Sequence, residues 1–315
     1  MKRALVLGGV SFNTNIYLHT FPKPVPHPIF SCDDFHETVG STGAGKALNL
    51  AKLGLDVTLH EMIGDDQYGR TVVDYLSAAQ IMVLSDIDPL GTERQVNLMD
   101  SKGQRISIYI ARGTPDPVID LQRIIARISE NDYVVLNIIN YCRRLIPNIK
   151  AQQKAIWCDL HDYDGHNKYH QDFIEAADYL FLSSEVLPDY RSFMQSMIDK
   201  GKKLVVCTHG GEGATALTAP DHWIEMPIIS SYQLKDSNGA GDSFFAGFLY
   251  GHACGATVEQ CMRLGTIVAG LCVTSLELAL PTLSPSLVAA EYLREYKEPL
   301  NCWLETSKLL TLEAR

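Results

Sequence analysis

Short apolar runs rich in β-branched residues alternate along the chain with segments of helical period. The runs ALVLGGV and VTLHEMI are each followed by a helical pattern, at about 44–53 and 68–79. The alternation resumes with YVVLNII, KAIWCDL, YLFLS and KLVVCTHG, each followed by polar or helical sequence. Strands that alternate with helices are joined by crossovers and form parallel sheets. The sequence therefore predicts an α/β fold with a doubly wound, mostly parallel sheet flanked by helices.

Two stretches interrupt this alternation. Residues 15–40 contain four prolines within FPKPVPHP, and residues 81–110 hold three strand-like runs, IMVLSDI, RQVNLMD and RISIYI, separated by turn residues. The second stretch predicts antiparallel strands joined by hairpins. We expect one domain over residues 1–315, with a small β-sheet lid inserted at about 15–40 and 81–112. From residue 236 onwards the pattern is helical, at about 240–250, 257–274 and 285–296.

Charge and hydropathy argue against several classes of partner. A net charge of −10 disfavours nucleic acid, whose binding depends on Lys and Arg that neutralise phosphates. The longest apolar stretch, 267–280, is interrupted by polar residues and is too short to span a bilayer. Eight cysteines without a Cys-x-x-Cys pair favour reduced thiols. We therefore expect a cytoplasmic protein with no nucleic-acid or membrane partner, and a small molecule as its ligand.

The segment GSTGAGK, residues 40–46, fits the first seven positions of a phosphate-binding P-loop. The next residue of that motif is a Ser or Thr that binds magnesium, but here it is Ala47. A P-loop also follows a buried strand, whereas the preceding SCDDFHETV is polar and acidic. Two other interpretations stay open. The segment is either a tight helix-entry turn or a helix N-terminus whose glycines let the backbone approach a hydroxyl-rich ligand.

A second glycine turn, DSNGAGD at residues 236–242, precedes another apolar helical pattern. Its glycines allow successive N–H groups to point inwards, and the positive end of the following helix adds to them, so that the turn can bind an anion. Asp242 stands in the first turn of that helix. Spacing alone leaves two roles open for Asp242, an ordinary helix-stabilising charge or a base for a hydroxyl that attacks a phosphate.

This second turn resembles the Asp-Thr-x-Gly-Ala-Gly-Asp signature of the ribokinase-like (PfkB) family of carbohydrate and nucleoside kinases, with Ser237 in place of Thr. Other segments follow in the family's order. GSTGAGKALNLAKLG is similar to the family's Gly-Gly-Lys-Gly-Ala-Asn helix entry, IGDDQYG to its Gly-x-Asp-x-x-Gly segment, and CTHGGEG to its nucleotide loop. The resemblance covers about residues 4–275. It implies a ribokinase-like kinase that uses ATP and Mg²⁺.

The resemblance implies roles on the phosphate side of the site. Asp242 would be the catalytic base. The backbone N–H groups of the anion hole would belong to Gly239, Ala240 and Gly241. The loop that contacts the ATP phosphates would hold Thr208, Gly210 and Gly213. For that loop, an ordinary strand-to-turn connection is the alternative interpretation.

The acceptor side departs from the family pattern. The candidate substrate-binding residues are Asn13, Gly43, Ala44, Lys46 and Asn137. Asn13 stands where the family has an Asp, and Thr42 and Gly45 replace the Lys and Asn of the helix-entry motif. Lys46 is either a new cation of the site or a solvated helix residue. These changes argue against the family's standard ribose or hexose as the substrate.

Metal sites are the least complete part of the resemblance. Glu185 substitutes, with a shifted register, for the family Glu that organises magnesium and ATP, an early helical acid being the alternative. Asp236 and Asn238 match positions around a monovalent-cation (K⁺) site, but the C-terminal half of that site is replaced by TSLELALP, which argues against potassium dependence. The segment CDLHDYDGHNKYH offers a weak zinc pattern at Cys158 and His161. The other interpretation is a polar loop in which Asp159 or His161 contacts ligand.

Together these features predict ATP-dependent phosphorylation of a hydroxyl on a small sugar or sugar-like substrate. A nucleoside kinase of the same family and a non-catalytic ligand-binding homologue are the alternatives. A lid strand can cap its own subunit or a partner's, so a homodimer through the lid stays open.

Overall fold

The computed structural model describes residues 1–26 and 29–300 of the chain. The strands are β1 (Arg3–Leu7), β2 (Ser11–Leu18), β3 (Asp34–Gly40), β4 (Asp56–Ile63), β5 (Met82–Ile87), β6 (Arg94–Asp100), β7 (Arg105–Ala111), β8 (Tyr133–Asn137), β9 (Ile156–Asp159), β10 (Tyr179–Ser183), β11 (Leu204–Thr208), β12 (Ala214–Leu217) and β13 (Trp223–Met226). The α-helices are α1 (Thr42–Lys52), α2 (Gln67–Ala78), α3 (Leu121–Glu130), α4 (Ile146–Ala151), α5 (Gln171–Ala176), α6 (Tyr190–Asp199), α7 (Ala240–Ala253), α8 (Val258–Cys272) and α9 (Pro285–Tyr296).

The large sheet has nine strands in the order β13-β12-β11-β10-β9-β8-β1-β4-β5. All neighbours are parallel except β11–β12 and β12–β13, which are antiparallel. The chain leaves β1 towards β4 on one side and later returns to β8 on the other, so β1 lies at the topological switch point. This arrangement confirms the predicted α/β fold with a mostly parallel sheet.

Helices cover both faces of the large sheet. One core cluster joins the sheet to α1, α2, α7, α8 and α9, and the other joins it to α3–α6. The central strands are buried on both faces, which explains why they are continuous apolar runs in the sequence. In α8, Thr257 and Gln260 form a capping box, which fixes where the helix begins.

The small sheet has four strands in the order β3-β2-β6-β7. Strands β3–β2 and β6–β7 pair antiparallel, whereas β2 and β6 pair in parallel. A small separate sheet of this kind was predicted, but the prediction of three hairpin-linked strands over 81–110 is wrong for the first of them. IMVLSDI forms β5, which pairs in parallel with β4 at the edge of the large sheet. Helix α2 supplies the crossover that a parallel neighbour needs. His27 and Pro28 of the first predicted lid segment lie outside the described residues.

The structure shows the state of the described cysteines and the character of the described helices. Six cysteines are free thiols, namely Cys32, Cys142, Cys158, Cys207, Cys261 and Cys272. Cys254 is disulfide-bonded, so the expectation of reduced thiols is wrong at that position. Cys302 lies outside the described residues. In residues 1–26 and 29–300, no helix is long and apolar enough to cross a membrane.

Candidate active site

The carboxyl ends of neighbouring parallel strands bring polar side chains to one edge of the large sheet. The pairing register sets Asn137 of β8 beside Asp159 of β9, and Ser183 of β10 beside Thr208 of β11. With strands about 4.8 Å apart and a rise of about 3.3 Å per residue, Thr208 lies about 12 Å from Asp159. Ligands of doubly wound sheets bind at this edge. The predicted nucleotide loop and the predicted acceptor side therefore share one edge of the sheet.

Helix α1 begins directly against the end of β1. The Ala44 N–H donates to the Gly9 carbonyl at 3.0 Å. A Cβ on Gly43 would lie 1.9 Å from the Gly8 carbonyl oxygen, so a larger residue could not pack here. Gly43 and Ala44 are both buried. The glycine turn thus brings the helix N-terminus close to the switch point of the sheet, as the helix-entry interpretation predicts.

A buried carboxyl group that the sequence analysis missed, that of Glu61, supports the turn after β1 on which α1 packs. Glu61 of β4 accepts hydrogen bonds from the N–H groups of Gly9, Val10 and Met62, at 2.8 Å from Val10 and 2.7 Å from Met62. Burial raises the pKa of Glu61 to about 8, against the three N–H groups, which favour the ionised form. The signal that could have identified Glu61 is an acid in the middle of the apolar run VTLHEMI.

A buried ion-pair network lies between α1, β9 and α7. The Lys46 side chain has no exposed surface, and its ammonium lies 2.5 Å from Asp242 Oδ1 and 3.1 Å from Asp159 Oδ2. It also donates to Thr42 Oγ1, one helical turn earlier. Burial works to lower the pKa of Lys46, but Asp242 and Asp159 outweigh it and raise that pKa. The alternative of a solvated helix residue is therefore wrong for Lys46.

The two carboxylate oxygens of Asp242 have different environments. Oδ1 accepts hydrogen bonds from the Thr42 hydroxyl at 2.6 Å and from Lys46. Within the described part of the chain, no hydrogen bond reaches Oδ2. A Cβ on Gly45 would lie 2.8 Å from Oδ2, so glycine at this position lets α1 pack closely against the Asp242 carboxylate.

Asp159 is the last residue of β9, and His161 follows two residues later at the same edge of the site. The His161 N–H donates to Asp159 Oδ1 at 2.9 Å. Burial works to raise the pKa of Asp159, but the electrostatic interactions with His161 and Lys46 outweigh it and hold the pKa at about 2. Donor atoms of Asp159, His161 and Asp242 lie within 4.8 Å of one another, close enough to share a metal ion. The ammonium of Lys46, however, already forms an ion pair with each of the two carboxylates.

The weak zinc pattern at Cys158 and His161 is not assembled in the described residues. Cys158 is fully buried in the core between β9 and the α3–α6 layer, where burial raises the pKa of its thiol. Successive side chains of a strand point to opposite faces, so Cys158 faces away from Asp159. The prediction that Asp159 or His161 lies at the ligand edge stays consistent with this geometry.

The second glycine turn forms the beginning of α7. Gly239 is the N-cap and has a left-handed φ of 79°, which glycine adopts without strain. The first turn of the helix holds Ala240, Gly241 and Asp242, and a Cβ on Gly241 would meet no atom within 4 Å. N–H groups in a first helical turn have no intrahelical partner. The Ala240 N–H donates to the Ser237 carbonyl oxygen at 3.2 Å, whereas no hydrogen bond of the described residues engages the N–H groups of Gly239 and Gly241. These two donors are therefore available beside the Asp242 carboxylate.

Asp236 and Asn238 contact the lid and each other. Both oxygens of the buried Asp236 carboxylate are engaged, Oδ2 by the Tyr17 hydroxyl at 2.8 Å and Oδ1 by the Asn238 N–H at 2.7 Å. Burial, followed by the hydrogen bond to Asp236, raises the pKa of Tyr17. The Cys272 thiol lies 3.7 Å from the carbonyl oxygens of Asn238 and Leu278. Oxygen atoms of Asp236 and Asn238, which were expected near a monovalent cation, thus already accept hydrogen bonds from the Tyr17 hydroxyl and the Cys272 thiol.

Amide side chains dominate the predicted acceptor side. Asn13 accepts a hydrogen bond from Ser11 Oγ at 2.7 Å and packs against Gly40. Asn137 donates to the carbonyl of Gly8 at 2.8 Å, which fixes the β1 turn, while its buried Oδ1 has no hydrogen-bond partner among the described residues. Both side chains are buried. They lie on either side of the β1 turn, but no hydrogen bond joins them to the Lys46 network in the described residues.

The inner face of the lid adds a second pair of amides that the sequence did not indicate. Asn97 of β6 donates to Asn15 Oδ1 of β2 at 2.8 Å. Both residues are almost fully buried, and Asn97 Oδ1 has no hydrogen-bond partner in the part of the chain that the structure describes. On β2, Asn15 lies between Asn13, which packs on Gly40, and Tyr17, which reaches Asp236. The Asn15–Asn97 pair therefore lies on the lid between its contact with the first glycine turn and its contact with the second.

The nucleotide-side residues lie at the end of β11. Thr208 donates to the Leu182 carbonyl at 3.4 Å. Gly210 has a φ of 54° and open space around it, and a Cβ on Gly213 would lie 2.1 Å from the Met226 carbonyl oxygen. Glu185 follows β10 with an exposed side chain, and no hydrogen bond or ion pair of the described residues joins it to Asp242. The structure thus groups Thr208, Gly210 and Gly213, and it places Glu185 directly after Ser184, whose N–H donates to the Thr208 carbonyl oxygen at 2.9 Å.

His209 is a further residue of this loop that the sequence analysis missed. Its ring nitrogens lie 2.9 Å from Ser184 Oγ and 2.8 Å from Thr215 Oγ1, and its ring packs on Tyr190 at 4.5 Å. Burial lowers the pKa of His209, with Glu225 acting in the opposite direction. These contacts hold the loop between β10 and β12. The only sequence signal was a histidine within CTHGGEG.

Comparison with known families gives one match over most of the chain. The family model described as pfkB family carbohydrate kinase matches residues 1–284. The acarbose 7(IV)-phosphotransferase of Actinoplanes sp. is 29% identical over 274 residues, which cover 86% of this chain and 91% of that protein. The fructoselysine 6-kinase of Escherichia coli is 24% identical over 246 residues, with coverages of 76% and 93%.

Solved structures share the fold. A microbiome-derived acarbose kinase superposes with a TM-score of 0.83 at 30% identity, covering 91% of this chain and 97% of that one. The ribokinase of Arabidopsis thaliana, solved with ribose and ATP, has a TM-score of 0.75 at 20% identity, with coverages of 93% and 98%. The second similarity supports the fold alone.

Proposed function

The chain belongs to the pfkB family of carbohydrate kinases, and we propose that it transfers the γ-phosphoryl group of ATP to a hydroxyl of a small, uncharged sugar or sugar-like acceptor. The observation that carries this proposal is the position of Asp242. Its carboxylate lies in the first turn of α7, beside the glycine turn that begins at Gly239. Oδ1 is held by two donors, and no donor of the described residues reaches Oδ2. A carboxylate with one free oxygen beside an anion hole suits a general base for phosphoryl transfer.

In this proposal Asp242 Oδ2 accepts the proton of the attacking hydroxyl. The acceptor oxygen forms a bond to the γ-phosphorus while the bond from that phosphorus to the β,γ-bridging oxygen breaks, and ADP leaves with the electron pair. The N–H groups of Gly239 and Gly241 stabilise the charge on the transferred group, and that of Ala240 joins them when it exchanges the Ser237 carbonyl for a phosphoryl oxygen. Such fixed donors act where charge develops, and removing one commonly costs ~10²–10³ in kcat.

Lys46 and Thr42 position the base in this mechanism. Together they fix Asp242 Oδ1, so that Oδ2 points to the acceptor. Family members carry their motif Lys where this chain has Thr42, and the Lys46 ammonium reaches back to that same Thr42 from one turn further along α1. We infer that Lys46 supplies the missing charge from a new position. Gly45 makes this possible because a side chain there would collide with Asp242.

The acceptor is inferred from the amides of the lid and the sheet edge. Asn13, Asn137, Asn15 and Asn97 are neutral, and two of them carry a buried oxygen without a partner. Amide groups both donate and accept hydrogen bonds, as hydroxyl groups do. They carry no charge that would attract a charged substituent. Acarbose is the first acceptor to test because a relative and a solved structure are named as acting on it.

The nucleotide is proposed to lie along the end of β11. Thr208, Gly210 and Gly213 would face the ATP phosphates, about 12 Å from Asp159 across two strands. The group of Asp159, His161 and Asp242 does not fit magnesium while Lys46 occupies it. Magnesium, when bound with ATP, would neutralise phosphate oxygens. Glu185 is kept as its proposed protein contact, and a potassium site at Asp236 and Asn238 is not part of the proposal.

An acceptor panel tests the proposed function. Purified protein with ATP and Mg²⁺ is incubated with acarbose, ribose, fructose, fructoselysine and inosine, and ADP release is measured together with the mass of the product. The expected result is one phosphate added to a carbohydrate and none to inosine. Turnover of inosine alone would favour the nucleoside-kinase alternative. ATP binding without turnover of any acceptor would favour a non-catalytic protein.

A further inference from the structure

The three residues before the anion hole are all held by the lid. Asp236 accepts from the Tyr17 hydroxyl at 2.8 Å, and Ser237 Oγ donates to the Gly103 carbonyl at 2.8 Å. Asn238 Oδ1 accepts from Arg105 Nη1 at 2.7 Å. Two of these contacts come from the β6–β7 hairpin. Gly103 lies in its turn, and Arg105 is the first residue of β7. The closed lid is therefore joined directly to the segment that leads into Gly239.

Arg105 is unusual among these contacts because its charge has no counter-charge. The side chain is exposed at the start of β7, and its hydrogen-bond partner is a neutral amide. In the described residues no carboxylate lies within 4.0 Å of its guanidinium, although the chain has 37 acidic and 27 basic residues. An unpaired cation in an acidic protein, placed beside a turn of free N–H donors, indicates an anion as its missing partner.

We propose that Arg105 is carried by the lid to the phosphoryl group and contacts it during transfer. The inference rests on the proposed kinase function. Asn238 directly precedes Gly239, with Cα atoms about 3.8 Å apart, so a guanidinium bonded to Asn238 is within one side-chain length of the anion hole. A guanidinium has five N–H donors, so it can keep Asn238 while binding two phosphate oxygens.

This placement couples lid closure to catalysis. Arg105 reaches the phosphate side only while the β6–β7 turn is docked on Ser237 and Asn238. When the lid opens to admit the acceptor, the positive charge leaves with it. Transfer to water in the open state then lacks one stabilising charge, and transfer to a bound hydroxyl in the closed state has it. Arginines that contact transferred phosphoryl groups raise kcat by ~10³–10⁵ in other nucleotide enzymes.

Arg105→Gln tests the proposal directly, with Arg112→Gln as the matched control. Arg112 is also an exposed lid arginine, but it lies beyond the other end of β7 and stacks on Tyr109. With the best acceptor, Arg105→Gln is expected to lower kcat at least about 30-fold with the acceptor KM within 3-fold, while Arg112→Gln stays within 2-fold. Guanidinium chloride at millimolar concentration should restore part of the activity of Arg105→Ala. Unchanged kcat, or a loss confined to the acceptor KM, overturns the proposal.

A binding measurement separates this inference from the proposed function. Calorimetry with ATP and with ADP, each without acceptor, needs no turnover. We expect Arg105→Gln to weaken ATP binding at least about 5-fold and to leave ADP binding within 2-fold, because only ATP carries the γ-phosphoryl group. Equal effects on both nucleotides overturn the role of Arg105 even if the wild-type protein proves to be a kinase. Failure of the acceptor panel with an intact ATP effect would reject only the proposed acceptor.

Discussion

At the scale of residues, the site is a buried ion-pair network in which the Lys46 ammonium contacts the carboxylates of Asp242 and Asp159. Asp242 could be assigned from its motif, and Lys46 could be named as a candidate cation. Their contact with Asp159 could not be predicted, because it depends on β9 standing two places from β1 and on α1 packing across that edge. Glu61 and His209 were missed for the same reason, since a single acid or histidine within an apolar run does not reveal its partners.

The Asp159 carboxylate predicts an acid-sensitive contribution to stability. Its folded pKa of about 2 lies below the ordinary value of 3.8. A depressed pKa stabilises the folded state above the unfolded pKa, and this stabilisation is lost as pH falls towards the folded pKa. We expect Asp159→Asn to cost about 2 kcal/mol from this source at pH 6 and about 1 kcal/mol less at pH 3.

Urea unfolding of the wild type and the variant at both pH values measures this difference. Asp65→Asn is the control, because the Asp65 side chain is 84% exposed and pairs with Arg70 at the surface. Its effect should be small at both values of pH. A cost for Asp159→Asn that does not change between pH 6 and pH 3 would contradict the assigned electrostatic role.

At the scale of elements, the sequence predicts the central strands and the long helices to within about two or three residues. The assignment of edge strands was less successful. IMVLSDI was placed in the lid, and the parallel pairing of β2 with β6 was not foreseen. Half-buried alternation shows that a segment is a strand, but it does not say which sheet edge the strand joins. The contact between α1 and α7, which depends on glycine at position 45, was likewise hidden.

Gly45→Ala tests that helix contact. Alanine in a helix interior normally stabilises by ~1 kcal/mol relative to glycine. Here the new Cβ would lie 2.8 Å from Asp242 Oδ2, so the carboxylate must move. We expect kcat to fall at least about 10-fold while the free energy of unfolding changes by less than ~1 kcal/mol. An active Gly45→Ala variant would show that the position of Oδ2 is not critical.

At the scale of the whole molecule, the lid joins both halves of the site. Its inner face carries the amide pair and Tyr17, and isoleucines of β7 stand on its outer face. Ile106 and Ile108 are 44% and 46% exposed, and they lie opposite Leu98 and Val96 of β6. Alternate residues of a strand share one face, and β7 is an edge strand of the small sheet in the described residues. An exposed apolar face on such an edge is suited to association with a second copy of the chain.

A homodimer through the lid is the expected oligomeric state. Light scattering after gel filtration should give twice the chain mass, and Ile108→Glu should give the monomer. Ile87→Glu is the control, because Ile87 is 63% exposed on β5, at the edge of the other sheet. A monomeric wild type, or a dimer that withstands Ile108→Glu, would rule out association by this face.

The central claim is that Asp242 is the base for phosphoryl transfer, and Asp242→Asn tests it most directly. Asparagine keeps the shape of the side chain but cannot accept the proton at Oδ2. With the best acceptor from the panel, kcat is predicted to fall at least ~10²-fold, with ATP binding retained and the far-ultraviolet circular dichroism unchanged. Turnover by Asp242→Asn within threefold of the wild type would contradict the account.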